Sequence, residues 1–380
     1  MVILTAVLLL VIVGVAFFVL VSPNPVDPSD VNIYKEPFYF GICYCGDTVE
    51  DAKALIDRVK NFTNLLVIGS GSLQNTPTKL REICDYAVSS GLKFIVYFSV
   101  NNNSDVVDWL ETGTHRWNDN LLGIYYGDEP GGKHLDGAPR DLMKHILERY
   151  PNLTMDEVAN GFIENHQNEL RVFENQSVTI FTSDYALHWF DYKAGYDVIF
   201  AELGWNNTIA QEIGLVRGAA NLQNKSWGTI ITWTYNNPPY LADGDIIFEQ
   251  MRQSYESGAE YVVIFNYDQD LGDHFGTLRE EHFVAMEQFW CDVIQKSEVV
   301  HGGDSAEIVL VLPKNYGWGM RTPHDVIWGY WDPDDVSDQI WNTLQNCLAE
   351  YGTKLDIVYD DTMFPVDGKY LQVCFWNQTN

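Results

Sequence analysis

Phe38-Tyr-Phe-Gly-Ile-Cys-Tyr44, Val49-Glu-Asp-Ala-Lys-Ala-Leu-Ile-Asp-Arg-Val-Lys-Asn-Phe62 and Leu65-Leu-Val-Ile-Gly69 follow one another along the chain. The first and third are short apolar runs of the kind that become buried strands. The second has a helical pattern, with Asp47 and Thr48 placed to cap its start. Strand, helix and strand at this spacing predict a parallel pair joined by a helical crossover.

The same rhythm continues. Further strand runs are Lys93–Val100, Leu121–Gly127, Val178–Ser183, Val198–Leu203, Thr229–Tyr235 and Tyr261–Tyr267, which makes eight with the first two. Helical segments fall between them at Pro77–Ser90, Asp141–Tyr150, Ile209–Asn224 and Ile246–Ser257, and Glu280–Lys296 follows the last strand. Thr76 with Pro77, and Ser104 with Asp105, read as further helix starts. Eight such units in about 260 residues predict an α/β chain folded as a (β/α)8 TIM barrel. An open doubly wound sheet would carry a glycine-rich phosphate turn after its first strand. Here that turn is Cys45-Gly-Asp-Thr48, and Gly69-Ser-Gly-Ser72 after the second strand lacks the third glycine.

After Gly303 the pattern restarts, with strand runs at Ala306–Leu312, Lys354–Val358 and Leu371–Trp376 and a helix at Asp335–Tyr351. The expected organisation is an anchor or signal at 1–21, a proline-rich linker at 22–36, the barrel at 37–302 and a small α/β domain at 303–380. The aromatic loops Asn315–Arg321 and Trp328–Trp331 either pack that domain or cover one barrel end.

Met1–Val21 contains no charged side chain and is long enough for a bilayer core. It reads as an N-terminal transmembrane helix, with a cleaved signal peptide or an assembly helix as alternatives. Seven Asn-x-Ser/Thr sequons begin at Asn61, Asn102, Asn152, Asn175, Asn206, Asn224 and Asn377. They point to an exported glycoprotein held at the cell surface, or secreted if the segment is cleaved. Cys43, Cys45, Cys84, Cys291, Cys347 and Cys374 leave disulfide pairing open. Acidic residues number 53 against 23 basic ones, a formal net charge of −30. Such a surface repels phosphate backbones and argues against a nucleic-acid partner.

In a barrel of this kind the chemistry sits at the C-terminal ends of the strands. The fourth strand ends Tyr125-Tyr-Gly-Asp-Glu-Pro130 and the fifth Thr182-Ser-Asp-Tyr185. The sixth gives Glu202-Leu-Gly-Trp-Asn206, the seventh Trp233-Thr-Tyr-Asn236 and the eighth Asn266-Tyr-Asp268. Acids, amides and aromatic rings converge on one rim. Glycoside cleavage needs a carboxyl that donates a proton and a second that attacks, activates water or orients the substrate. Glu129, with Asp128 beside it, is the leading proton donor. Tyr126, Asp184, Tyr185, Trp205, Trp233, Tyr235, Asn236 and Tyr267 are candidate sugar-binding groups.

Gly127-Asp-Glu-Pro130 at the end of a fourth strand resembles the acid/base motif of clan A glycoside hydrolase barrels. The C-terminal segment looks like the flavodoxin-like domains that follow some glycosidase barrels. The resemblance implies that Glu129 is the proton donor. It also implies a nucleophilic Glu near the end of the seventh strand, where this chain has Trp233-Thr-Tyr-Asn236 instead. Either Glu202 supplies the second carboxylate, or Asp128 and Glu129 act together as in substrate-assisted hexosaminidase barrels, with Tyr235 or Tyr267 steadying an acetamido group. Asp268 is a third candidate partner.

No metal motif and no cofactor motif is present, and the acids around His274 do not follow the helix-loop-helix calcium spacing. The expectation is therefore an extracytoplasmic glycoside hydrolase-like enzyme acting on polysaccharide or glycoconjugate glycans. The alternative is a non-catalytic glycan-binding or structural surface protein on a degenerate barrel, including a self-associating filament or surface-layer subunit.

Overall fold

The structure, a computed structural model, describes residues 38–100, 103–205, 208–267, 275–296 and 299–378, with the backbone alone for 103–105. Eight strands close on themselves in sequence order: β1 (Tyr39–Tyr44), β2 (Leu65–Ile68), β3 (Lys93–Phe98), β4 (Leu121–Tyr126), β5 (Thr179–Asp184), β6 (Val198–Leu203), β7 (Ser226–Ile231) and β8 (Tyr261–Ile264). All neighbours are parallel, and the ring closes where Tyr39 pairs with Tyr261 and Ile42 with Ile264. The eight apolar runs thus become the predicted barrel.

Alternate strand residues face inward and outward. Leu65, Val67, Ile95, Phe181, Phe200 and Val263 form one buried cluster that fills the barrel. Their neighbours Leu66, Ile68, Val96 and Ile199 face the surrounding helices. Gly123 makes room for this filling, because a Cβ there would sit 2.6 Å from the Phe181 ring.

The helices are α1 (Val49–Val59), α2 (Pro77–Ser89), α3 (Asn103–Trp117), α4 (Pro130–Asp136), α5 (Arg140–Arg149), α6 (Met155–Leu170), α7 (His188–Ala194), α8 (Ile209–Gln223), α9 (Gly244–Glu256) and α10 (Glu280–Phe289). Thr48 caps α1 by accepting the Asp51 amide at 3.1 Å. Thr76 makes no such bond, and α2 starts on Pro77 instead. Between β4 and β5 the chain forms three helices where the sequence suggested one. The first, α4, follows Glu129 directly.

A second, three-stranded parallel sheet follows: β9 (Ile308–Leu312), β10 (Leu355–Tyr359) and β11 (Gln372–Phe375), in the order β10-β9-β11, with α11 (Asp335–Tyr351) between β9 and β10. It packs on α8. Gly214 and Gly218 admit it, since a Cβ at Gly214 would stand 2.6 Å from the Leu355 carbonyl oxygen. Arg217, on the same face of α8, donates to Asp356 Oδ1 at 2.8 Å and to the Thr353 carbonyl at 2.6 Å. Both ends of this ion pair are almost fully buried. Residues from Phe38 onward form one compact unit, the small sheet included.

One part of the expected architecture is corrected. Among the described residues no helix is long and apolar enough to cross a membrane. Even α11, 17 residues long, carries Asp335, Asp338 and Glu350, as befits a helix with one face in water. The N-terminal transmembrane helix placed at Met1–Val21, and the linker at 22–36, lie outside the described residues.

Candidate functional site

At the end of β4 the backbone turns sharply. Gly127 has a φ of +72° and Glu129 a φ of +50°, both left-handed. Pro130 then opens α4 at its first position, where a missing N–H costs nothing. The turn is held from β5. The Glu129 amide donates to the Ser183 carbonyl at 3.1 Å. Asp184 accepts the amides of Gly131 at 2.6 Å and Gly132 at 2.8 Å, and those of Tyr185 at 2.8 Å and Ala186 at 3.1 Å. The Asp184 carboxylate thus satisfies the first amides of α4. Gly132 is needed there, because a Cβ would run into the Tyr185 ring at 2.1 Å.

This bend brings Asp128 and Glu129 into one cleft with Glu202 of β6. A cavity of about 480 Å³ opens at the C-terminal ends of the strands, and Asp128, Glu129, Glu202, Trp205, Trp233 and Tyr267 are among its walls. The Trp233 ring lies 6.4 Å from Trp205 and 5.8 Å from Tyr267, edge to face in both cases. Trp205 and Tyr267 are 43% and 41% exposed, so each offers a face to anything entering.

The acids are wired together. Tyr125 Oη donates to Asp128 Oδ1 at 2.7 Å. The same oxygen lies 2.7 Å from Ser183 Oγ, which in turn lies 2.7 Å from Glu202 Oε1. Ser183 Oγ is the donor to Glu202. Burial, and then the charge of Glu129, push Glu202 well above the usual carboxylate range. Glu129 is itself raised, by burial and by Asp128, while Lys133 opposes the shift. Lys133 Nζ donates to Asp128 Oδ2 at 2.8 Å and stands 3.4 Å from Glu129 Oε2. The cleft therefore holds two carboxyls, Glu129 and Glu202, whose proton affinity burial raises, and a third, Asp128, tied to an ammonium.

Asp128, Glu129, Glu202, Trp205, Trp233 and Tyr267 come together here. The other sequence-predicted residues do not. Tyr126 follows inward-facing Tyr125 on the strand, so it points outward and is fully buried, its hydroxyl donating to the Val100 carbonyl. Asp184 is the amide acceptor just described and has no exposed surface. Tyr185 donates to Asp136 at 3.0 Å beneath Arg321. Tyr235 and Asn236 border a separate hollow with Pro238 and Pro239. Asp268 and His274 lie outside the described residues.

Sequence reasoning missed Cys43, Cys45 and Tyr97, which also line the cleft. They sit on the first and third strands, and reading the ends of those strands as closely as the later ones would have found them. Lys133 was signalled only by its place one helical turn after Glu129. Among the described residues no group of three or more His, Cys, Asp or Glu side chains could hold a metal ion. Five sequon residues, Asn61, Asn152, Asn175, Asn224 and Asn377, are exposed; Asn102 and Asn206 lie outside the described residues.

No family model matches the chain, and no curated protein matches it in sequence. Among solved structures it is similar to alpha-L-fucosidase isoenzyme 2 from Paenibacillus thiaminolyticus, at 10% identity and a TM-score of 0.49, over 85% of this chain and 58% of that one. It is similar to a GH20 catalytic module of the pneumococcal exo-beta-D-N-acetylglucosaminidase, at 8% identity and a TM-score of 0.44, over 70% and 87% of the two chains. It is also similar to thiamine phosphate pyrophosphorylase from Pyrococcus furiosus, at 10% identity and a TM-score of 0.35, over 67% and 93%. Neighbours so distant and so varied in their reactions leave the barrel to stand on the chain's own strand pairing.

Proposed function

We propose that this protein is a glycoside hydrolase-like enzyme that cleaves glycans in the cleft above β4 and β6, with Glu129 and Glu202 as its two working carboxyls. The observation that carries the reading is the Glu129–Glu202 pair in one cavity, both raised by burial and set among indole and phenol rings at the C-terminal rim of the barrel. Flat rings stack on the C–H faces of sugars. A carboxyl whose proton affinity is strongly raised, beside one that gives its proton up more easily, is the acid-and-carboxylate couple that glycoside cleavage requires.

Environment divides the roles. Glu202 is the deeper group and holds its proton more firmly, so it is the general acid. Glu129 is more exposed and lies near Lys133, so it is the carboxylate. This reverses the role expected for Glu129 from its motif. Lys133 also keeps Asp128 engaged, so Asp128 orients Tyr125 and the chain behind it. Working carboxyls stand roughly 5–10 Å apart around a bound sugar. The absence of a glutamate in Trp233–Asn236, at the end of the seventh strand, favours a second reading, a glycan-binding barrel without turnover.

The test is a panel of chromogenic glycosides and polysaccharides offered to the parent protein, Glu129→Gln and Glu202→Gln. Each variant should lose on the order of 100-fold or more in turnover. A dinitrophenyl glycoside needs no proton on its leaving group, so Glu202→Gln should keep most of its activity on that substrate and Glu129→Gln should not. Unchanged hydrolysis in both variants would sink the assignment. Binding without hydrolysis by the parent would favour the second reading.

A further inference from the structure

The cleft holds a pair of thiols that the carboxyl chemistry does not use. Cys43 is the penultimate residue of β1 and is buried, and Cys45 follows just beyond the strand and is partly exposed. Both border the cleft. Gly69, at the end of β2, clears the space they occupy. A Cβ there would fall 2.9 Å from Cys45 Sγ and 3.5 Å from Cys43 Sγ. The Gly69 amide donates to the Tyr44 carbonyl at 2.8 Å, which fixes the backbone between the two cysteines. Cys45 lies outside the β1 ladder, so its side chain can close on Cys43 without breaking a strand pair.

We propose that Cys43 and Cys45 form a reversible dithiol–disulfide couple in the wall of the cleft, oxidised by a peroxide or by a small disulfide. With peroxide, the sulfur of the more exposed Cys45 attacks an oxygen as its thiolate. The O–O bond breaks, and a sulfenic acid and hydroxide form. The Cys43 sulfur then attacks the sulfenic sulfur and expels hydroxide, and the thiol proton leaves with it as water. Two thiols and one hydrogen peroxide give one disulfide and two waters. Closing the bond draws the sulfurs to about 2.05 Å and reshapes the wall above Gly69. A thiol such as dithiothreitol restores the open pair by exchange. The couple does not depend on what the cleft binds or cleaves.

Both cysteines fall in one tryptic peptide, Glu36–Lys53. The folded full-length protein is treated with hydrogen peroxide or diamide, free thiols are alkylated, and the digest is weighed. This peptide should carry no alkyl group and be about 2 Da lighter for the two hydrogens lost, and dithiothreitol before alkylation should reverse both changes. Cys291, which is exposed, reports that the oxidant reached the protein. In Cys45→Ser, Cys43 should stay alkylatable at the same dose. Doubly alkylated Glu36–Lys53 from parent protein whose Cys291 is oxidised would overturn the proposal. So would sulfinic acid at Cys45 with no disulfide.

Discussion

Ser183 Oγ stands 2.7 Å from Glu202 Oε1 and the same distance from Tyr125 Oη. This hydroxyl is the link through which a carboxyl on β6 senses one on β4. Its bond lowers the proton affinity that burial gives Glu202. Ser183→Ala should therefore raise the Glu202 pKa further, and the alkaline limb of the pH–rate profile should move to higher pH. Tyr125→Phe should remove one of the two side-chain donors to partly exposed Asp128, leaving Lys133, and cost about 0.5–1.5 kcal/mol of stability, as the loss of one hydrogen bond. Thermal melts and pH–rate profiles of the two variants check this.

Lys133 acts in the opposite direction on Glu129, favouring the charged form against burial and against Asp128. Lys133→Met should raise the Glu129 pKa, so activity that needs a Glu129 carboxylate should set in at higher pH. The acidic limb of the profile reads the shift. An unchanged limb would mean that Glu129 is not the group titrating there.

Stability should fall as pH rises from about 6.5, the ordinary histidine value, to about 8. Glu212 is buried, and its pKa is pushed up to about 8. Asp191 is raised well above the carboxylate range, by burial first and then by Asp184. An acid raised by folding keeps its proton in the native state while the unfolded chain releases it, so the unfolded state binds fewer protons and gains as pH rises. The depressed histidines, His134 and His188, both at about 4, act in the other direction, but only below their unfolded value. Above it the acids stand alone. Melting temperatures at the two ends of this window should differ, and Glu212→Gln should narrow the gap.

Arg217 and Asp356 hold the small sheet against α8. Arg217→Ala leaves a buried carboxylate without its partner and should cost about 3–5 kcal/mol. Replacing both residues with apolar ones of similar size should restore much of that loss. Denaturant melts of the single and double variants decide it. A single variant as stable as the parent would mean that the docking rests on the Gly214 face alone.

The barrel was legible because its evidence is local. Each apolar run and each helical pattern occupies a few consecutive residues, and eight of them in a row leave little choice. Glu129, Glu202, Trp205 and Trp233 could be read for the same reason, since each follows an apolar run directly. What stayed hidden depends on direction in space. Tyr125 and Tyr126 are equally aromatic, and only the pleat decides that the first enters the cleft and the second leaves it. Asp184 ends its strand as Glu202 nearly does, yet it turns to the amides of a helix that the sequence did not announce. Lys133 matters only once α4 is known to begin at Pro130. The docking of β10 depends on Gly214 and Gly218, whose message is an empty space and which carry no chemistry to notice.

Three residues on the cleft side of the strand ends, Glu129, Leu187 and Trp205, hold left-handed backbone angles at 50°, 59° and 51°. Side-chain residues pay roughly 1–2 kcal/mol for that conformation. At position 129 glycine or asparagine would sit more comfortably. A chain shaped by folding alone would have no reason to keep a glutamate there. Replacing it should therefore relax the backbone even as it empties the cleft of its carboxylate. At this corner durability and chemistry are rivals, and the molecule as it stands has settled in favour of chemistry.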